Sequence, residues 1–159
     1  MEISIRKAES RDIPKLSELL SEVLELHAKI RPDIFLSGST KYTASELADI
    51  LANDQTPVFV AVDENNTVRG YVFCQIKRQP FSTNMKDFKT LFIDDLCIDE
   101  SCRGAHIGTK LFDFALGYAK EEGCYDLTLN VWEGNDGARA FYEKMGMFVK
   151  ETQMEILVK

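Results

Sequence analysis

The stretch from Thr90 to Val131 constrains the fold most. It reads as a strand, "TLFIDDLCI", a glycine-containing turn, "RGAHIGTK", a helix with Leu111, Phe112, Ala115, Leu116 and Ala119 at core-facing spacing, and a second strand, "YDLTLNV". Antiparallel neighbours need only a short hairpin, whereas a helix crossing between two strands of one sheet gives parallel pairing. The chain is therefore expected to form an α/β fold built on a mixed sheet.

The flanking sequence supplies the remaining elements. "EISIRKA" alternates Ile3 and Ile5 with polar residues, the period of a half-buried strand. Asp12 stands at the cap position before Ile13 and a first-turn Pro14, and Leu16, Leu19, Leu20, Val23 and Leu24 recur at helical spacing until the pattern fades before Pro32. "RPDIFLSGSTKY" has loop chemistry, after which Thr43 and Glu46 give a capping-box pattern ahead of Leu47, Ile50 and Leu51. "PVFVAV" and "VRGYVFCQIK" read as strands around the hairpin turn "DENNT", and "QPFSTNMKDF" as a second loop. Downstream, "DGARAFYEKM" reads as a short helix and "FVKETQMEIL" as one or two closing strands. The predicted order is β-α-α-β-β-β-α-β-α-β, with a last strand where the ending holds two. No repeat, low-complexity tract or internal boundary divides the chain, so residues 1–159 are expected to form one domain.

Composition narrows the function classes. Apolar residues make up 45% and charged residues 28%, which favours neither a disordered nor a membrane protein. No apolar run is long enough to span a bilayer, and "MEISIRKAES" lacks a secretory apolar core, so the cytoplasm is the expected compartment. A net charge of −7 argues against nucleic-acid binding, which needs clustered Lys and Arg, and is compatible with a cationic substrate. Cys74, Cys97, Cys102 and Cys124 form no CxxC pair, so neither a metal site nor a disulfide framework is expected.

Three segments, in order, carry a resemblance: "FIDDLCI" on a strand, "RGAHIGTK" opening a helix, and "NVWEGNDGARAFYEKMG" running from a strand into another helix. Together they resemble the GNAT superfamily of acyl-CoA-dependent N-acyltransferases, and the similarity extends over essentially the whole chain. Arg103 and Gly108 match the ends of the family's cofactor signature, with His106 in place of its first glycine. Asn135, Ala138, Phe141, Tyr142, Glu143, Lys144 and Gly146 match the later segment, with Met147 replacing the common phenylalanine. The resemblance implies a single-domain GNAT-like fold, with a central mixed, splayed sheet flanked by helices, and acetyl-CoA as cosubstrate. It also implies N-acetyl transfer to a small-molecule or peptide primary amine in a ternary complex, and is compatible with a homodimer.

Physical chemistry supports the cofactor segment. A helix N-terminus presents unpaired N–H groups and the positive end of its dipole to an anion. The pyrophosphate of acetyl-CoA is thus expected against Arg103, Gly104, Ala105, His106, Ile107, Gly108, Thr109 and Lys110, with Gly104 and Gly108 permitting close backbone approach. His106 is expected in an ordinary right-handed conformation, because a left-handed backbone strains a non-glycine residue. By resemblance, Leu96, Cys97 and Ile98 pair with the pantetheine amides in the manner of an added strand. Asn135 borders the CoA arm or caps the following helix, with Ala138 beside it.

Acyl transfer to an amine also needs a base for the ammonium and benefits from an acid for the leaving thiolate. Asp94 and Asp95 are the base candidates. Strand alternation places Asp94 with Phe92, Leu96 and Ile98 and lets only one of the two carboxylates face the acceptor cleft, with Asp94 preferred. Tyr142 matches the family tyrosine near the CoA sulfur and is the acid candidate. Cys97 has no activating partner visible in sequence, which disfavours a covalent route. Trp132 borders the acceptor pocket or fills the core, the latter being its reading here, and His27 reads as a structural histidine. Two other readings remain: a non-catalytic acyl-CoA-binding module and transfer of a different acyl group. A dinucleotide-binding oxidoreductase is disfavoured because the glycine-rich turn comes late and lacks the full GxGxxG pattern after a first strand.

Overall fold

A computed structural model describes residues 1–78, 83–102 and 104–159. Strands β1 (Ser4–Lys7), β2 (Val58–Val62), β3 (Val68–Arg78), β4 (Lys89–Ile98) and β5 (Asp126–Leu129) lie in a single sheet in sequence order. Helices α1 (Ile13–Ile30) and α2 (Ala44–Ala52) precede β2, α3 (Ile107–Glu121) joins β4 to β5, and α4 (Asp136–Lys144) follows β5. The first three pairings are antiparallel and β4–β5 is parallel, as the crossover helix requires. Among the described residues, no helix is long and apolar enough to cross a membrane.

The sheet separates two apolar layers. On one face, Leu16, Leu19 and Leu20 of α1 and Leu47 of α2 pack against Val58, Val60, Tyr71 and Phe73. On the other, Ile107, Leu111, Phe112 and Ala115 of α3 cover Val72, Cys74, Leu91 and Ile93, with Phe141 and Tyr142 of α4 at the margin. Each fully buried leucine or isoleucine contributes about 1.5–3 kcal/mol relative to exposure, so these rows fix both helices to their faces.

Local signals were realised unevenly. Thr43 accepts from the Glu46 amide at 3.1 Å and Glu46 accepts from the Thr43 amide at 2.9 Å, completing the capping box of α2. Asp12 precedes α1 but does not cap it with its side chain. Its carboxylate instead takes both ends of the Arg6 guanidinium, at 2.8 and 2.9 Å, and the Glu9 amide at 2.8 Å, tying β1 to the start of α1. The expected closing strands are absent: residues 148–159 form no strand and are exposed along their length.

The start of α3 departs from expectation too. His106 adopts a left-handed conformation, φ 59° and ψ 25°, rather than a right-handed one. The turn reverses the chain from the end of β4 into α3, and Gly104 at φ 93° makes the same kind of bend two residues earlier. Histidine is among the residues that tolerate this region, so the substitution for glycine leaves the turn intact at modest cost.

Asp99 locks the other end of that connection. It follows β4, pairs with Lys15 of α1 at 2.8 Å, and accepts from the Ser101 amide at 3.0 Å and hydroxyl at 2.9 Å. The Lys15 hydrogen bond chiefly, helped by Ser101, holds the Asp99 carboxyl down at about 2 against the opposing effect of burial. A depressed carboxylate stabilises the fold above its unfolded pKa and loses that contribution as pH falls through the folded value. Stability should therefore fall between about pH 4 and pH 2, and Asp99→Asn should cost about 1–2 kcal/mol at neutral pH, the range allowing for partial solvent screening. Urea denaturation of both proteins across that pH range tests this, and parallel pH profiles for the two would refute it. At the α3 turn, His106→Gly should fold at least as stably as the parent, while the β-branched His106→Val should lose about 1–2 kcal/mol. Thermal unfolding of the pair decides this, and equal midpoints would show that the left-handed turn is not the controlling feature.

Candidate functional site

Two irregularities coincide in the middle of β4. Parallel pairing with β5 ends at Ile93↔Leu129, whereas antiparallel pairing with β3 continues to Ile98↔Gly70. Among the described residues, β4 beyond Ile93 is paired with β3 and no longer with β5. In the same place Phe73 pairs with Asp95 and Cys74 with Ile93, leaving Asp94 as an extra, unmatched residue. This is a β-bulge, which re-aims side chains.

The bulge inverts the alternation. Upstream, Leu91 and Ile93 belong to the α3-side core; downstream, Cys97 belongs to the α1-side core, and Leu96 and Ile98 pack on the α3 side. Asp94 therefore does not share a face with Leu96 and Ile98, and both carboxylates engage groups of the α1 side. Asp94 Oδ2 accepts from Lys41 Nζ at 3.0 Å and from the Tyr42 hydroxyl at 3.3 Å. Asp95 Oδ2 accepts from the Tyr71 hydroxyl at 2.6 Å. Tyr42, Phe73 and Tyr71 run together beneath them, with ring centroids 6.3 and 4.9 Å apart.

The environments of the two acids differ. Burial pushes the Asp95 carboxyl above its ordinary range and Asp94 adds to the rise, while the Tyr71 hydrogen bond and the Lys41 charge oppose it. Burial tends to lower the Lys41 pKa, but attraction to Asp94 wins and the ammonium is stabilised overall. Tyr71 and Tyr42 are both raised, by burial first and then by the neighbouring carboxylates. Sequence reasoning missed Lys41, Tyr42 and Tyr71. The first two sit in a loop without a motif and Tyr71 reads as a core residue; the packing of the α1–α2 loop brings Lys41 and Tyr42 to Asp94, and the β3–β4 register brings Tyr71 to Asp95.

Tyr142 approaches from α4, its ring near Phe112 and Phe141 at 6.1 and 5.1 Å. Burial chiefly, and then the Asp95 charge, push its hydroxyl pKa well up, and among the described residues the hydroxyl has no hydrogen-bond partner. Asn135 caps α4 by accepting from the Ala138 amide at 3.3 Å. Cys97 is buried, with Sγ near the Leu19 and Ile98 carbonyls. Trp132 is 37% exposed, so it does not fill the core. Its ring meets Phe35 at 5.3 Å and the Arg31 guanidinium at 5.9 Å, at the edge of the loop after α1. His27 is held below its usual pKa by burial and packs on Phe35 at 5.2 Å, as a structural histidine would.

The N-terminus of α3 completes the arrangement. The helix has no side-chain cap and no acid in its first turn, and its first backbone acceptance is Lys110 N–H to the His106 carbonyl at 3.1 Å. Among the described residues, the Ile107, Gly108 and Thr109 amides have no acceptor, a donor set suited to an anion. Gly108 faces inward: a Cβ there would stand 3.2 Å from Ile98 and 3.3 Å from Phe141, so the glycine brings the helix end close to both β4 and α4. Arg103, expected beside these amides, lies outside the described residues.

The whole chain superposes on the solved structure of a variant of the BH1408 protein from Bacillus halodurans, with TM-score 0.93, 32% identity, and 98% and 99% of the two chains covered. It also matches the structure of glucosamine-6-phosphate N-acetyltransferase from Arabidopsis thaliana, with TM-score 0.68, 26% identity and both chains covered to 100%. Among curated sequences, the peptidyl-lysine N-acetyltransferase YjaB of Escherichia coli is 31% identical over 72% of this chain and 65% of its own. The matched regions span 40% to 65% of the length of the curated relatives. The family profile described as Acetyltransferase (GNAT) family matches residues 20–147, and the chain belongs to that family.

Proposed function

We propose that this protein is an N-acetyltransferase that acetylates a primary amine from acetyl-CoA, donor and acceptor being bound together for direct attack. One observation carries the reading: where β4 parts from β5, the bulge sends Asp94 and Asp95 to the same side while Tyr142 stands within electrostatic reach of Asp95.

The donor set fits acetyl-CoA. The amides of Ile107, Gly108 and Thr109, without an acceptor among the described residues, would hold its anionic end together with Lys110 and the turn residues Gly104, Ala105 and His106, and the sequence pattern adds Arg103. Leu96, Cys97 and Ile98, past the end of the β5 pairing, would bind its amide-bearing arm, with Asn135 and Ala138 bordering it from α4. When bound, acetyl-CoA supplies the activated thioester.

Asp95 is assigned as the base. An ammonium cannot attack until it loses a proton, and a carboxyl raised above its usual range accepts one more readily than a solvated carboxylate does. Asp94, ion-paired to Lys41 and less enclosed, is assigned to hold the acceptor ammonium, which reverses the preference drawn from strand alternation. Tyr142 keeps its proton at Oη through the neutral range, the state an acid for the departing thiolate needs, and solvent restores that proton afterwards. Tyr71 is a positioning residue for Asp95. The acidic balance and the relatives' printed substrates, glucosamine 6-phosphate and peptidyl lysine, support an amine acceptor without choosing between a sugar and a peptide.

A thiol-release assay with mass detection across a panel of amines tests the activity, and donor binding without release or product would make the protein a binding module. With the acceptor found, Asp95→Asn should lower kcat/KM about 100-fold or more and remove the acidic limb of its pH profile. The base must be ionised, so activity should rise with pH through the raised Asp95 pKa. Tyr71→Phe removes a bond that favours the carboxylate and should move that limb to higher pH; an unmoved limb would exclude the Tyr71 role. Tyr142→Phe should reduce kcat about 100-fold with little change in the KM for acetyl-CoA, and unchanged saturated turnover would remove tyrosine as the acid.

A further inference from the structure

One primary amine of the chain itself already stands on the carboxylate assigned to hold the acceptor. Lys41 Nζ is 3.0 Å from Asp94 Oδ2. Its charge is felt at Asp95, the assigned base, and the Asp95 charge is felt in turn at Tyr142, the assigned acid. Amine, base and acid thus form a continuous series. Among the described residues, no other lysine pairs with either carboxylate: Lys15 is on Asp99 and Glu18, Lys150 is on Asp126, and Lys77 lies over the Phe92 ring at 3.9 Å.

The loop between α1 and α2 is pinned on both sides of this lysine. Upstream, Glu25 of α1 takes the Ser37 hydroxyl and the Gly38 amide, both at 2.6 Å. Downstream, the Tyr42 ring stacks on Phe73 with centroids 6.3 Å apart, its hydroxyl donates to Asp94 at 3.3 Å, and Thr43 begins α2 with its capping box. An amine anchored in this way meets a neighbouring reactive centre at high effective concentration.

We propose, on the acetyl-transfer reading, that Lys41 Nζ is itself an acceptor, so that the protein acetylates its own α1–α2 loop when no other amine fills the cleft. The Lys41 ammonium gives one proton to Asp95, which passes it to solvent, and the freed nitrogen attacks the thioester carbonyl of acetyl-CoA. A C–N bond forms and the C–S bond breaks. The departing sulfur takes its proton from Tyr142, and the second proton lost by nitrogen restores Tyr142 through solvent. The products are one acetyllysine, free CoA thiol and one proton. Burial works against the charged form of Lys41, but Asp94, Tyr42 and Asp95 outweigh it, so the proton must be taken by a base and the step depends on Asp95. Acetylation removes the lysine charge and with it the ion pair to Asp94.

Incubating the full chain with acetyl-CoA and no added amine, followed by intact-mass and peptide mass spectrometry, tests the modification. One acetyl group should be gained and mapped to Lys41, ahead of the exposed Lys86, Lys120 and Lys144. Its half-time should stay constant over about a tenfold range of protein concentration, as a step within one chain requires. Lys41→Arg keeps the cation without a nucleophilic amine and should gain no acetyl group, and Asp95→Asn should slow the gain about 100-fold. A reagent that needs no enzyme checks the placement: toward acetic anhydride alone, Lys41 should react about 10-fold more slowly than the three exposed lysines, and Asp94→Asn should remove most of that difference. Equal labelling in the parent would remove the pairing that presents the amine and overturn the proposal. Acetylation by acetyl-CoA spread over the exposed lysines, or a half-time that shortens as concentration rises, would refute it as well. Thiol release on a panel of amines with Lys41 left unmodified would overturn self-acetylation and leave the acetyl-transfer reading standing, whereas donor binding with neither release nor modification would overturn both.

Discussion

The geometry of this protein turns on one unmatched residue. Inserting Asp94 between the β3 pairings of Ile93 and Asp95 shifts the parity of β4, so that Leu91 and Ile93 serve the α3 layer while Asp95 and Cys97 serve the α1 layer. Without the bulge, two neighbouring acids would point to opposite faces, and one would be buried against the apolar underside of α3. With it, both reach hydroxyls and a lysine on one side. The added local twist accompanies the parting of β4 from β5, so the feature that aims the acids coincides with the one that frees the strand edge.

The helix crossing over this point is held close by glycines. At Gly70 a Cβ would stand 2.9 Å from the Cys97 carbonyl and 3.3 Å from Ile107, so a side chain there would push β3, β4 and the start of α3 apart. Gly108 performs the same service between α3, β4 and α4. The start of α3 is thus packed closely on its neighbours, the Gly108 main chain against the Ile98 and Phe141 side chains and the Ile107 and Leu111 side chains against the Gly70 main chain. His106 forms the left-handed turn that leads into these amides, at φ 59° and ψ 25°.

Much of this was legible in the sequence because it rests on local rules. The apolar spacing of α3, the Thr43 and Glu46 capping box and the "DENNT" hairpin each depend on residues a few positions apart, and all three formed. The parallel β4–β5 pair followed from the crossover. The failures share a different cause. Asp12 was drawn from its cap by Arg6, a cation on another strand, and Trp132 was held at the rim by Arg31 and Phe35. The bulge is a matter of register between β3 and β4, and nothing within "FIDDLCI" announces it. The tail has strand chemistry, but a strand also needs an edge to pair with, and among the described residues 148–159 pair with none.

The two carboxylates also set limits on each other. Burial first, and then the proximity of Asp94, raise the Asp95 pKa above its ordinary range. Tyr71 and Lys41 oppose them by different means. Tyr71 donates directly and belongs to the packed core, so its contribution is constant. Lys41 acts through its charge, from the loop between α1 and α2, with its ammonium on Asp94. A core hydroxyl and a loop cation thus both act against the burial that raises the Asp95 pKa, one by a direct hydrogen bond and the other through its charge.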